Sequence, residues 1–151
     1  MVYPRGDVLF VDFVAGRPPF ASSQAGGPER GPRACKHDVM SDCLFCTIVS
    51  GEIPADVVAE TETAYAFRDL NPQAPLHVLV VPRTHVANAA ELADREPGTV
   101  AELVRVARGV VAEAGHDSYR LVFNTGEEAG QSVFHAHLHV LAGRPQAWPP
   151  G

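Results

Sequence analysis

The sequence predicts an α+β fold: a five-stranded antiparallel sheet covered on one face, with one long and one short helix. Three patterns carry this expectation. Apolar residues recur at three- and four-residue steps between Pro97 and Ala114, apolar and polar residues alternate from Val133 to Leu141, and further short apolar runs lie between turn formers.

Taken in order, Leu44 to Val49 is the short helix, ended by the segment Gly51 to Pro54. Val57 to Glu60 and Ala64 to Asp69 flank a turn-length polar spacer and read as a hairpin. His77 to Val81 is an apolar run between Pro75 and Pro82, which places it in the sheet interior. On the long helix, Val100, Leu103, Val104, Ala107, Val110 and Val111 form one apolar face, and Gly115 is a good terminator. Tyr119 to Asn124 and Val133 to Leu141 complete the sheet, joined by a glycine-containing loop.

The chain has 151 residues, one domain's worth, with 46% hydrophobic residues and a formal charge of −6. That balance gives no reason to expect a nucleic-acid partner, which needs clustered Lys and Arg. No apolar run approaches the roughly 20 residues needed to cross a bilayer, and no basic-then-apolar leader opens the chain, so a cytoplasmic protein without membrane contact is expected. Residues 1–39 hold five Gly and five Pro and read as a disordered or non-native extension, with a short apolar patch at Val8 to Val14. They carry five basic and four acidic residues, leaving seven basic and fourteen acidic for the rest, so the charge changes at the same boundary. Met40 is a plausible alternative start, and residues 40–151 are the globular domain.

Alternation on a strand sends His135, His137 and His139 to one face, about 7 Å apart, and Phe134, Ala136, Leu138 and Val140 to the other, under the long helix. Three imidazoles in a row are costly to place without a use, so they read as a functional row. An adjacent pair of them also has the spacing of a metal chelate on a strand. Cys43-x-x-Cys46 is a metal half-site or a redox pair; no strand-like residues precede it, which favours zinc over a thioredoxin-like unit. Three cysteines in all make no secreted-type disulfide framework.

Gln131-Ser132-Val133-Phe134-His135-Ala136-His137-Leu138-His139-Val140-Leu141 resembles the signature of the histidine triad (HIT) family. The resemblance extends through Asp69-Leu70-Asn71-Pro72-Gln73-Ala74-Pro75-Leu76-His77 and Pro82-Arg83-Thr84-His85, and the ending Trp148-Pro149-Pro150-Gly151 is similar to that of the Hint branch. It implies a dimeric fold that binds the purine nucleoside monophosphates AMP and GMP and hydrolyses nucleoside phosphoramidates through a nucleotidyl-histidine intermediate. By the same resemblance His137 is the nucleophile, with His135 and His139 contacting phosphate oxygens or fixing its tautomer, and Ser132 hydrogen-bonds the phosphate or the leaving amine. Asp69 accepts from the ribose hydroxyls, Asn124 stands beside ribose and phosphate, and Gly130 and Gln131 belong to a loop that can present backbone N–H groups to an anion. Leu44, Phe45, Ile48, Phe67 and Leu70 sandwich the base. His85 and His135 join Cys43 and Cys46 as a closed structural zinc site, and no cofactor is needed for the chemistry.

Other readings compete with this one. A binding module with little turnover shares the same residues, and dinucleoside polyphosphate hydrolysis is a possible side activity. Nucleotidyl transfer is disfavoured, because the related transferases carry Gln where this chain has His139.

Overall fold

The computed structural model describes residues 43–149, and the readings of residues 1–39 and Met40 lie outside them. The described chain runs α1 (Leu44–Val49), β1 (Val57–Glu60), β2 (Ala64–Arg68), β3 (Leu76–Pro82), α2 (Ala89–Arg95), α3 (Pro97–Glu113), β4 (Tyr119–Phe123) and β5 (Leu138–Ala142), with a 3₁₀ turn at Glu127–Ala129. The five strands form one antiparallel sheet in the order β1-β2-β3-β5-β4. β3 is therefore central, and all seven of its residues are buried, as the proline-bounded apolar run predicts.

Side-chain alternation divides the interior in two. Ala64, Ala66, Val78, Val80, Leu138, Val140 and Ala142 face α3, where Leu103, Val106, Ala107, Val110 and Val111 close the larger core. Each Leu or Val in this layer contributes about 1.5–3 kcal/mol by leaving water. On the opposite face Phe67, Leu79 and Val81 pack against Phe45 and Ile48 of α1. One turn and a half of helix covers that face incompletely, and the uncovered part is an open cavity.

Three expectations need correction. The buried face of α3 uses Val106, whereas Val104 is 39% exposed, so the helix is rotated slightly from the predicted face. A second short helix, α2, was not expected, because one apolar residue, Leu92, is all it buries. Its sequence cue is the cap: Asn88 Oδ1 accepts from the Glu91 backbone N–H at 3.0 Å, and Asn88 Nδ2 donates to Glu91 Oε1 at 3.2 Å. Finally, the last strand starts at Leu138, five residues later than predicted. Residues 133–137 are irregular, with the Ala136 N–H given to Val86 O at 2.7 Å outside the β ladder, and Phe134 is 49% exposed instead of facing α3.

Candidate active site and metal centre

The gap beside α1 is a cavity of about 310 Å³. Its inner wall is apolar, built by Leu44, Phe45 and Ile48 of α1, Ile53 to Ala55, Phe67 and Leu79. Asp69, Ser132, His137 and His139 stand at its polar part. Such a cleft suits an amphipathic ligand with a flat apolar body and a polar or anionic end.

His137 is 6% exposed, and its Nδ1–H donates to its neighbour's backbone carbonyl, His135 O, at 2.8 Å. That bond leaves Nε2 as the nitrogen with a lone pair, and the ring lies edge-on to Phe45 at 5.2 Å between centroids. An imidazole held this way can act as a nucleophile. His139 has the opposite tautomer, and the cause is three residues deep. The Gln73 backbone N–H donates to His77 Nδ1 at 3.1 Å, so the His77 proton sits on Nε2. From there it is given to His139 Nδ1 at 2.9 Å, with Asp69 Oδ2 at 3.4 Å, and His139 carries its own proton on Nε2. One triad ring thus offers a lone pair and the next a donor.

Burial pushes the His139 imidazole down to about 4, helped by the His137 and His77 rings and opposed by Asp69. Burial also lowers His77, again opposed by Asp69. Both are neutral at pH 7, as the tautomer chain requires. Asp69, His77 and His139 are close enough to be considered for a metal, but a metal on His77 Nε2 needs a proton on Nδ1, where the Gln73 N–H already points. The cluster is therefore a hydrogen-bond relay.

A second cluster lies on the other side of His135. One ligand atom each from Cys43, Cys46, His85 and His135 falls within 4.8 Å of the others. His135 Nδ1 is 3.5 Å from both sulfurs, and His85 Nδ1 is 3.3 Å from Cys46 Sγ. The His135 Nε2–H is fixed on Pro82 O at 2.9 Å, so Nδ1 keeps its lone pair for the cluster. Burial lowers His135 to about 4, with the Pro82 hydrogen bond opposing and His85 and His137 adding to the shift. Burial pushes the Cys46 thiol up to about 12, reinforced by a hydrogen bond and the charge of Cys43. Two thiolates side by side need a cation, and a soft S₂N₂ donor set matches tetrahedral zinc.

Several predicted site residues therefore meet at one place and others do not. Leu44, Phe45, Ile48, Phe67, Asp69, Leu70, Ser132, His137 and His139 line the cavity, with Leu44 and Leu70 exposed at its rim. His135 does not; its ring turns to the cysteines while its carbonyl holds His137. Asn124, Gly130 and Gln131 sit on the neighbouring loop outside the cavity lining. Gln131 is buried, and its amide is committed: Oε1 accepts from Gly126 N–H at 3.0 Å, and Nε2 donates to Ala87 O at 2.7 Å and Val133 O at 3.0 Å. It closes the loop that presents Ser132. The sequence placed His77 only in the central strand and in the family-like motif; the signal for its role is a polar residue inside an otherwise apolar strand.

Comparison with known proteins agrees with this architecture. Residues 50–146 match the model of the HIT domain. An uncharacterized HIT-like protein of Synechococcus elongatus is 43% identical over 111 residues, covering 73% of this chain and 97% of its own. A 14 kDa zinc-binding protein of Zea mays is 42% identical over 114 residues, 74% of this chain and 89% of its own. Among solved structures, a HIT family hydrolase from Legionella pneumophila superposes with a TM-score of 0.70 at 45% identity, covering 73% of this chain and all of that one. A HIT family hydrolase from Clostridium thermocellum gives 0.68 at 37% identity, covering 70% and 94%. The extent of the domain match and these relatives together place the chain in the HIT family.

Proposed function

We propose that this protein is a hydrolase of purine nucleoside phosphoramidates, with His137 as nucleophile and AMP or GMP as the nucleotide product. The observation that carries the reading is the paired tautomers: a lone pair on His137 Nε2 beside a donor on His139 Nε2, in a cavity whose far wall is apolar. The base stacks between Phe45, Phe67 and the aliphatic residues at the mouth, where contact with a flat ring tolerates either purine. Asp69 is oriented by the Asn71 N–H, which donates to Oδ1 at 2.8 Å, and its remaining lone pairs accept from the ribose hydroxyls.

His137 Nε2 attacks phosphorus, the P–N bond breaks, and the leaving nitrogen takes a proton from solvent water and departs as the free amine. The His139 N–H and Ser132 hydroxyl hydrogen-bond the phosphoryl group. Water then displaces the imidazole and releases the nucleoside monophosphate, so that two displacements replace one. The hydrolase names of the Legionella and Clostridium relatives support the reaction class. Cys43, Cys46, His85 and His135 hold a structural zinc in this reading, supported by the donor set and by the name of the maize relative. The protein acts as a homodimer.

Brief exposure to adenosine 5′-phosphoramidate followed by rapid quenching and peptide mass spectrometry tests the proposal. An AMP adduct on the peptide containing His137, with release of AMP and free amine at longer times, is expected. Nucleotide binding with neither adduct nor turnover overturns it in favour of a binding module.

A further inference from the structure

We propose that Cys43 and Cys46 are a site of reversible oxidation, at which a hydroperoxide closes a disulfide, expels the metal and weakens nucleotide binding in the neighbouring cavity. This rests on the zinc and nucleotide readings above and adds a modification to them.

The first observation is that the metal ligands and the cavity wall are the same short element. Between Cys43 and Cys46 stand Leu44 and Phe45, both lining the cavity. Phe45 packs edge-on against His137 at 5.2 Å, His135 at 6.0 Å and Phe67 at 5.6 Å. The second is that α1 has little holding it besides this cluster and a small apolar patch. It is six residues long, its N-cap is Cys43 itself, and it has no side-chain capping bond and no acidic residue in its first turn. An isolated helix of fewer than about 12 residues is marginal in water. The third is the unequal exposure of the two residues: Cys43, at the open start of the helix, is only partly buried and Cys46 is 6% exposed. The outer sulfur can meet an oxidant and the inner one can resolve the product.

The electrons balance with one equivalent of hydroperoxide. The Cys43 thiolate attacks the peroxide, the O–O bond breaks, and a sulfenic acid and water or an alcohol form as the oxygen is reduced and takes a proton. The Cys46 thiolate then attacks the Cys43 sulfur, the S–OH bond breaks, the S–S bond forms and hydroxide leaves as water with a second proton. Two sulfurs bound to one zinc at about 2.3 Å stand about 3.8 Å apart, whereas a disulfide holds them at about 2.05 Å. Closing the bond therefore removes two ligands and draws in the turn that carries Leu44 and Phe45. His135 loses its metal at the same time, and its carbonyl is the acceptor that holds His137.

The test uses the full chain with Cys35→Ser, which leaves the pair as its two remaining cysteines, reduced and loaded with zinc. Hydrogen peroxide at a few equivalents is followed by a chromogenic zinc chelator, by peptide mass spectrometry and by calorimetry with AMP. The expected result is one zinc released per Cys43–Cys46 disulfide and AMP affinity lower by on the order of tenfold, both reversed by dithiothreitol and zinc. A further Cys43→Ser variant should form no disulfide and show no reversible change in affinity. Disulfide formation with unchanged AMP affinity, or oxidation to sulfinic acid without a disulfide, overturns the proposal. If the reduced protein takes up no zinc, the metal reading fails by itself, and the affinity of the oxidised and reduced forms still decides the coupling. If the reduced protein binds no AMP, the nucleotide reading fails and the metal-releasing oxidation is decided by the chelator and the mass.

Discussion

His137 is held by its own chain: the carbonyl two residues back fixes its proton, so its position does not depend on a ligand being present. Replacing it by Ala should abolish adduct formation and lower turnover by on the order of 10⁶, because loss of the covalent route leaves only positioning. AMP binding should persist in the same variant, since the base and ribose contacts belong to other residues; calorimetry and a single-turnover assay separate the two. His139 makes a second prediction, about pH. Its ordinary value is 6.5 and its folded value about 4, so between these the unfolded chain binds a proton that the folded one does not. Stability should fall as pH drops from about 6.5 to about 4, and His139→Asn should flatten that slope in urea melts at pH 7, 6, 5 and 4. That His137 and His139 share the cavity was legible from spacing alone. That His135 faces the thiols was legible only through the family resemblance, because alternation assumes a regular strand and residues 133–137 leave the ladder. Nor could spacing reveal the His77 tautomer, which depends on the backbone N–H of Gln73.

At the scale of elements, strands and helices marked by apolar patterns between turn formers were readable, and the helix marked only by its cap was not. α1, β1, β2, β3, α3 and β4 all fall within one residue of their predicted limits; β2, β3 and α3 bury several side chains in the core, whereas β4 contributes only the partly buried Leu121 and Phe123. α2 buries only Leu92, so periodicity had nothing to register. The CxxC segment was readable as a metal half-site, while its place as the lid of the cavity follows from the packing of Phe45 and Ile48 on Phe67, Leu79 and Val81. The Cys43–Cys46–His85–His135 cluster also bears on stability. Cys43→Ser together with Cys46→Ser should remove the bound zinc and lower Tm by roughly 10 °C, or about 3 kcal/mol, since the site ties α1 to the strands through His85 and His135. Metal analysis should give one zinc per wild-type chain and almost none for the double variant. A wild type that stays metal-free when zinc is offered makes the cysteines packed thiols and nothing more.

Across the whole molecule, the sheet order leaves two edges, β1 and β4, and they are not equivalent. β1 has four residues and an irregular register between Val57 and Ala59, a feature that blunts an edge against further pairing. β4 pairs with β5 in unbroken register over five residues, Tyr119↔Ala142 to Phe123↔Leu138, so its outer side presents a regular row of backbone groups. No helix among the described residues is long and apolar enough to cross a membrane. A second copy of the chain is the economical partner, because a two-fold axis lets the same edge meet itself. Val104 of α3 and Tyr119 of β4, 39% and 38% exposed, are apolar groups that such a partner can cover. Sedimentation equilibrium at micromolar concentration should therefore give a mass near twice 16.1 kDa. Hydrogen exchange should show the outward-facing β4 amides protected at that concentration and less protected on dilution, while β1 amides stay fast throughout. A monomer, or a dimer whose protection appears on β1 instead, removes β4 as the joining edge.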